Sequence, residues 1–413
     1  MRRRRGVPWA CVSIAVRAGE ITGLQKRIQK RNPKALFVNC DNHSLNLACV
    51  HAAKNSPVVI TFFGTVDKLY AYFSSSTVQW ELLQSKVGIT LKRACETRWS
   101  SRADAVKVIS DKYLQLTELL EEMYEDATLS QDTRSDAFSL QQCLMNFNFV
   151  CLLYFWDCIL GKINRVQKRL QDPAMNFADA SLDLQCLMQE FGNIRDEIPT
   201  EAIAKSKDIC QQLGIQVTGR IRRRRLMPGE AAPDVGLTAE EEINRILKDV
   251  IDILQQEMKT RFQRLQDLDK RFGFLLDAHN LITGDGIDND LLKQKCMDTA
   301  QCYNTDIDGT ELFTEIIDCR MLFRTRTDSV PGHVLTALHL LSSIASYGND
   351  VFPNLKICLQ IMLTVAVSVA SCERSFSKLK LILTYLRSSM SQDRLSNLSV
   401  LSIERETVEH RFQ

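Results

Sequence analysis

Apolar positions recur at helical spacing through most of this chain, and run together as strand-like segments only near its two ends. "KALFVNC" (34–40) is a short apolar run introduced by Asn32-Pro33 and reads as a strand. In "DNHSLNLACVHAAK", which follows, Leu45, Leu47, Ala48 and Val50 define one face of a short helix. Residues 58–84 and 102–126 are helical by spacing, the second carrying the stripe Leu114, Leu116, Leu119, Leu120 and Met123. The block 138–171, rich in Leu, Phe and Cys with no Pro or Gly before Gly161, predicts a buried helix. Thr238 with Glu241 three residues on is an N-cap signal. It opens a long amphipathic helix to about residue 279, with Ile243, Ile246, Leu247, Val250, Ile251 and Leu254 on one side. Heptad spacing is not sustained, so this helix belongs to a bundle rather than a coiled coil. From Tyr347 a helix, the β-rich "LTVAVSV" and two further helices complete the chain. The pattern predicts a mixed α/β, mostly helical protein: either an α/β core split by a long helical insertion, or two separate domains.

A linker fits 214–238, where "GRIRRRRLMPGEAAPDVGLT" holds three Gly and two Pro. Its basic run, Arg220 and Arg222 to Arg225, is a solvated linker or a nuclear-import or nucleic-acid contact. The acidic "GDGIDNDLL" (284–292) lacks calcium-loop spacing and reads as a solvated turn. With 413 residues, 45% hydrophobic and 25% charged, the chain has a folded protein's composition and room for two or three domains. Net charge is only +2, yet residues 1–31 hold nine Arg or Lys against one Glu, and 118–137 is acidic. The start "MRRRRGVPWACVSIAVRAG" loosely resembles a secretory leader, but its apolar part is short and contains Pro8. Apolar runs at 147–161 and 357–371 are too short to span a membrane. The 14 cysteines are scattered with no CxxC pair, which points to reduced thiols in a core.

Three motifs, in order, resemble the hAT superfamily of DNA transposases, and most of all its domesticated zinc finger MYM-type 1-like and TTF-type-domain members. "CDNHSLNLAC" is similar to the family's C-x-x-H followed by LNL, with Cys40 and His43. "CETRWSSR" is similar to its RW motif, with Arg98 and Trp99. "VASCERSFSKLKLILTYLRSSMSQDRLSNLSVLSIE" looks like the hAT C-terminal dimerisation region. The resemblance implies a ribonuclease H-like core interrupted by an all-helical insertion. On this chain that gives a partial core at 1–57, an insertion at 58–345 with the linker near 214–238, and a dimerisation region at 346–413 completing the core.

The family's chemistry, by the same resemblance, is strand cleavage and transfer by two divalent cations held between two Asp and one Glu. Glu373 matches the Glu. The position nearest one of the Asp residues is Val12, and no Asp precedes Asp41, so the expectation is a truncated, catalytically inactive copy with no cofactor and no metal. Its core strands would be partly missing, leaving an open sheet edge. Cys40 and His43 have the spacing of half a zinc site, of a helix-opening packing motif, or of a vestigial DNA contact. Arg98 and Trp99 could stack a base and grip phosphate, or wedge between core and insertion. Phe376, Leu379, Leu383 and Leu386, then Leu395, Leu398 and Leu401, form stripes that serve as core or as a dimer interface. The expected protein therefore acts through association, as a homodimer or with a related hAT-like chain, with weak nucleic-acid binding, in the nucleus and without a membrane. The alternatives are a metal-dependent nuclease that places Asp41 or Asp67 beside Glu373, and a zinc-binding structural module.

Overall fold

Local signals start and stop the helices where side chains can satisfy the free backbone ends. The computed structural model describes residues 11–12, 24–38, 40–94, 99–172, 175–217, 237–284, 288–324, 336–348, 350–365, 375, 378–384 and 389–403. The chain falls into two compact units, one of Met1–Asn42, Leu170–Ala180 and Arg264–Gln413, the other of His43–Arg169 and Ser181–Gln263.

The helices run in chain order as α1 (Leu24–Arg31), α2 (Asp41–Lys54), α3 (Pro57–Ser74), α4 (Thr77–Val87), α5 (Trp99–Asp111), α6 (Tyr113–Glu125), α7 (Gln131–Leu144), α8 (Phe147–Leu170) and α9 (Phe177–Asn193). They continue as α10 (Glu197–Gln212), α11 (Ala239–Phe272), α12 (Ala278–Thr283), α13 (Asn289–Cys302), α14 (Gly309–Arg324), α15 (Ala337–Ser346), α16 (Pro353–Leu363) and α17 (Gln392–Ile403).

In the second unit, α3 packs on α4 and α7, and α6 packs on α4, α5 and α7. Pro57 opens α3, where its missing N–H costs nothing, and Gly88 closes α4 in a left-handed conformation at φ 72°. Each expected long helix here is broken once. The 58–84 segment divides at Ser75–Ser76, and 102–126 divides at Lys112. The expected buried helix 138–171 divides at Met145–Asn146 into the end of α7 and α8, and in α8 Val150, Cys151, Phe155, Trp156, Ile159 and Ile163 are fully enclosed. At the start of α11, the Thr238 N–H donates to Glu241 Oε2 at 2.8 Å, and the Glu241 N–H donates to Thr238 Oγ1 at 3.2 Å. This is the reciprocal capping box that the spacing predicts. The helix it opens gives way to a 3-10 turn at Gly273–Leu275, short of residue 279.

In the first unit, α14 packs against α12, α13 and α16, and α15 packs on α16. Leu281, Leu292, Cys296, Leu312, Ile316, Cys319, Leu340, Leu355 and Cys358 fill the space between them. Two buried charges close this bundle. The Glu315 carboxylate accepts the backbone N–H of Asn354 at 3.0 Å and of Leu355 at 2.7 Å, and the Asn354 side-chain amide at 2.7 Å. A carboxylate on the first turn of α16 thus answers the free N–H groups and the positive end of that helix dipole. Arg320 donates through Nε to the Leu281 carbonyl at 2.7 Å and through Nη1 to Asn289 Oδ1 at 2.9 Å.

The mostly helical reading holds, but among the described residues the ribonuclease H-like core is not supported. Among the described residues the extended structure is one parallel pairing of two residues each, β1 (Cys11–Val12) against β2 (Phe37–Val38). "KALFVNC" therefore supplies a strand only at its centre. In "LTVAVSV" Leu363 ends α16 and residues 366–369 lie outside the described residues. A run of β-branched residues records that a segment can be extended, whereas a sheet needs partner strands beside it.

Candidate self-association surface

The third motif places an apolar surface on the outside of the chain. In α17, Leu395 and Leu398 are half-buried, Val400 is 59% exposed and Leu401 52% exposed, and no residue of the helix is buried. Ser391 starts it by accepting the Leu395 N–H on its carbonyl at 3.0 Å. The preceding helical stretch 378–382 carries Leu379, half-buried, and Leu381, 76% exposed, and Leu383 just after it is 41% exposed. Lys378 Nζ donates to the Ser402 carbonyl at 3.0 Å, so this stretch lies against the last turn of α17, where a cation is electrostatically favoured. Leu381 and Val400 are absent from the stripes read off the spacing. The signal that would have found them is that "KLKLIL" is apolar on more than one face, the mark of a helix either enclosed or docked. Phe376, Leu386 and Glu373 lie outside the described residues.

The first two motifs go inward. Asn46, from "DNHSLNLAC", accepts the Trp99 backbone N–H at 3.2 Å and the Gln167 amide at 2.7 Å on the same Oδ1. It thereby ties α2 to the start of α5 and to α8 within the second unit. Trp99 is 1% exposed and packs edge-on to Phe63 at 5.3 Å and tilted to Trp156 at 5.6 Å. The Arg102 guanidinium sits 4.6 Å from the Phe63 ring and 4.7 Å from the Trp99 ring, a buried-edge cation–π contact. With its ring enclosed by Phe63 and Trp156 of its own unit, Trp99 presents no face to a base. Arg98 lies outside the described residues.

Cys40 is buried and His43 half-buried at the start of α2. Asp41, between them, is buried with no hydrogen-bond partner for Oδ2, and burial pushes its carboxyl up to about 8. Among the described residues no group of three or more His, Cys, Asp or Glu is placed to hold a metal ion. Cys151, Cys296 and Cys319 are in no disulfide, and burial pushes their thiols up to about 12, as for plain core residues. Among the described residues no single helix is long and apolar enough to cross a membrane.

Residues 346–407 match the hAT family C-terminal dimerisation region. Over 408 residues the chain is 22% identical to the mouse protein "52 kDa repressor of the inhibitor of the protein kinase", covering 91% of this chain and 50% of that protein. The human protein of the same name is 21% identical over 402 residues, with the same coverage. The chain spans about half the length of the curated relatives it matches.

Proposed function

We propose that this chain is a domesticated hAT transposase-like protein that works by self-association through residues 346–407 and not by strand cleavage. The observation that carries the reading is α17, a helix inside the matched dimerisation region that buries none of its residues while carrying Leu395, Leu398, Val400 and Leu401. Apolar side chains left uncovered on a helix inside that matched region are accounted for by a second copy of the same surface, related by a two-fold axis. The non-catalytic part of the reading draws on the sequence, where Val12 stands nearest one of the Asp positions that the resemblance requires. It also draws on the similarity over 91% of the chain to proteins named as repressors. Action in the nucleus, a zinc finger MYM-type 1-like origin, and the segments 1–57, 58–345 and 346–413 as ancestral parts belong to the same proposal. Nucleic-acid binding enters it only as a weak accessory, because Trp99 is enclosed.

Sedimentation velocity of the full chain across a concentration series tests the reading. A dimer that dissociates on dilution, and that is weakened by polar substitution at Leu381 and Leu401, is the expected result. A monomer at every concentration refutes it.

A further inference from the structure

Within the first unit, a cavity of about 460 Å³ opens between the turn 33–36 after α1, the last two turns of α11 and the end of α13. Lys34, Arg264, Arg271 and Asp267 line it, three cations against one acid, and Leu268 gives it an apolar wall. The turn is held by Asn32, whose side chain accepts the Lys34 N–H at 3.1 Å. The Lys34 ammonium is fixed by Asn304 at 3.0 Å and Thr305 at 2.7 Å, with Asp306 at 3.6 Å. Arg271 enters no ion pair among the described residues, and its charge acts on Tyr303, which also lines the cavity. Tyr303 is 2% exposed, yet its hydroxyl has no hydrogen-bond partner. A buried hydroxyl left unpaired is costly, and here it lines a cavity where, with the Lys34–Asp306 pair counted, cations outnumber acids by one. The α1 helix before the turn adds four cations, Lys26, Arg27, Lys30 and Arg31, and no acid, so the field around the opening attracts anions.

We propose that this cavity binds a small phosphate monoester of nucleotide size, with Arg271 and Tyr303 on the phosphate and Leu268 against the ring. The site is independent of the self-association reading. A phosphate answers the positive charge that remains, guanidinium groups pair with its oxygens in a fixed fork, and the phenol donates to a third oxygen. The volume lies within the range of small-ligand pockets, which argues for a free nucleotide rather than a strand.

Isothermal titration of the full chain with AMP, adenosine and a 5′-phosphorylated decanucleotide tests this. AMP is expected to bind at least about tenfold more tightly than adenosine and no more weakly than the decanucleotide. Tyr303→Phe should weaken AMP about three- to tenfold and Arg271→Gln about tenfold or more. Neither substitution removes a bond the free chain makes, and thermal melts of both variants should match the parent. Equal affinity for AMP and adenosine overturns the proposal, as does wild-type AMP affinity in both folded variants. Binding confined to the decanucleotide also overturns it and points to a strand-binding surface instead.

Discussion

Leu401 offers the sharpest test of self-association because its contribution can be worked from the isolated chain. The side chain is 52% exposed there, so about half of it is free to be covered by a partner. Leu401→Ala removes three carbon groups, each worth about 0.8 kcal/mol when fully buried, or roughly 1.2 kcal/mol for the half that association would cover. In a two-fold symmetric dimer the loss is counted on both protomers, giving about 2.5 kcal/mol and a dissociation constant raised some 60-fold. The exposed half contributes little to the fold of the single chain, so its thermal melt at low concentration should move by no more than a few degrees. Sedimentation equilibrium at several loading concentrations reads the constant directly. If Leu401→Ala leaves association unchanged while lowering the melt, the leucine is packed within its own chain and the assignment of α17 to the interface is wrong.

Three further substitutions probe how the motifs and the bundle are held. Glu315→Ala leaves the Asn354 and Leu355 N–H groups without their acceptor and should cost about 2–4 kcal/mol, read as a lower urea midpoint; Glu315→Gln, which keeps one acceptor oxygen, should recover part of it. Asn46→Ala strips the acceptor shared by Trp99 and Gln167 and should cost about 2–5 kcal/mol, with a red shift in tryptophan emission as the ring cluster loosens; unchanged stability would mean that the two donors find water. Asp41 binds a proton in the folded chain that it has lost unfolded at neutral pH, since its carboxyl is raised from 3.8 to about 8. The stability it lends is therefore full below about pH 4 and is lost as pH rises toward about 8, on the order of 4 kcal/mol by pH 7. Asp41→Asn should flatten the pH dependence of the melt across that window; parallel curves for parent and variant would show that the carboxyl is hydrated and ionised.

Most of the helical architecture was legible because amphipathic spacing reports one face of a helix directly. Ile243, Leu247, Val250, Ile251 and Leu254 of the stripe on α11 are buried, and Ile246 is half-buried. The breaks were less visible. Nothing in the apolar pattern distinguishes one helix over 102–126 from α5 and α6 meeting at Lys112, because the stripe carries on through the junction. The strand-like ends failed for a different reason. Extended propensity in "KALFVNC" is a property of seven residues, while a sheet is a property of residues far apart that must pair, and only Phe37 and Val38 find partners among the described residues. Glu315 and Arg320 were invisible in sequence for the same reason, since each is defined by a helix end supplied by a distant segment.

The motifs that point to ancestry and the residues that point to function are therefore different residues. Asn46 and Trp99 lie in the two motifs that resemble the hAT family's, and both are engaged in holding helices of the second unit together. Losing either would cost stability whether or not any chemistry took place, so their presence says that the fold persists and carries no information about activity. Leu381 and Val400 bear on function in the opposite way. At 76% and 59% exposure they do little for the single chain, and an apolar side chain in water that the fold does not need is accounted for by what covers it. On α17 and the stretch before it such side chains lie in two segments joined by Lys378 to Ser402, and both are within residues 346–407. The part of the third motif that can be read for function is thus its leucines, and the dissociation constant of the dimer is the quantity on which the reading stands.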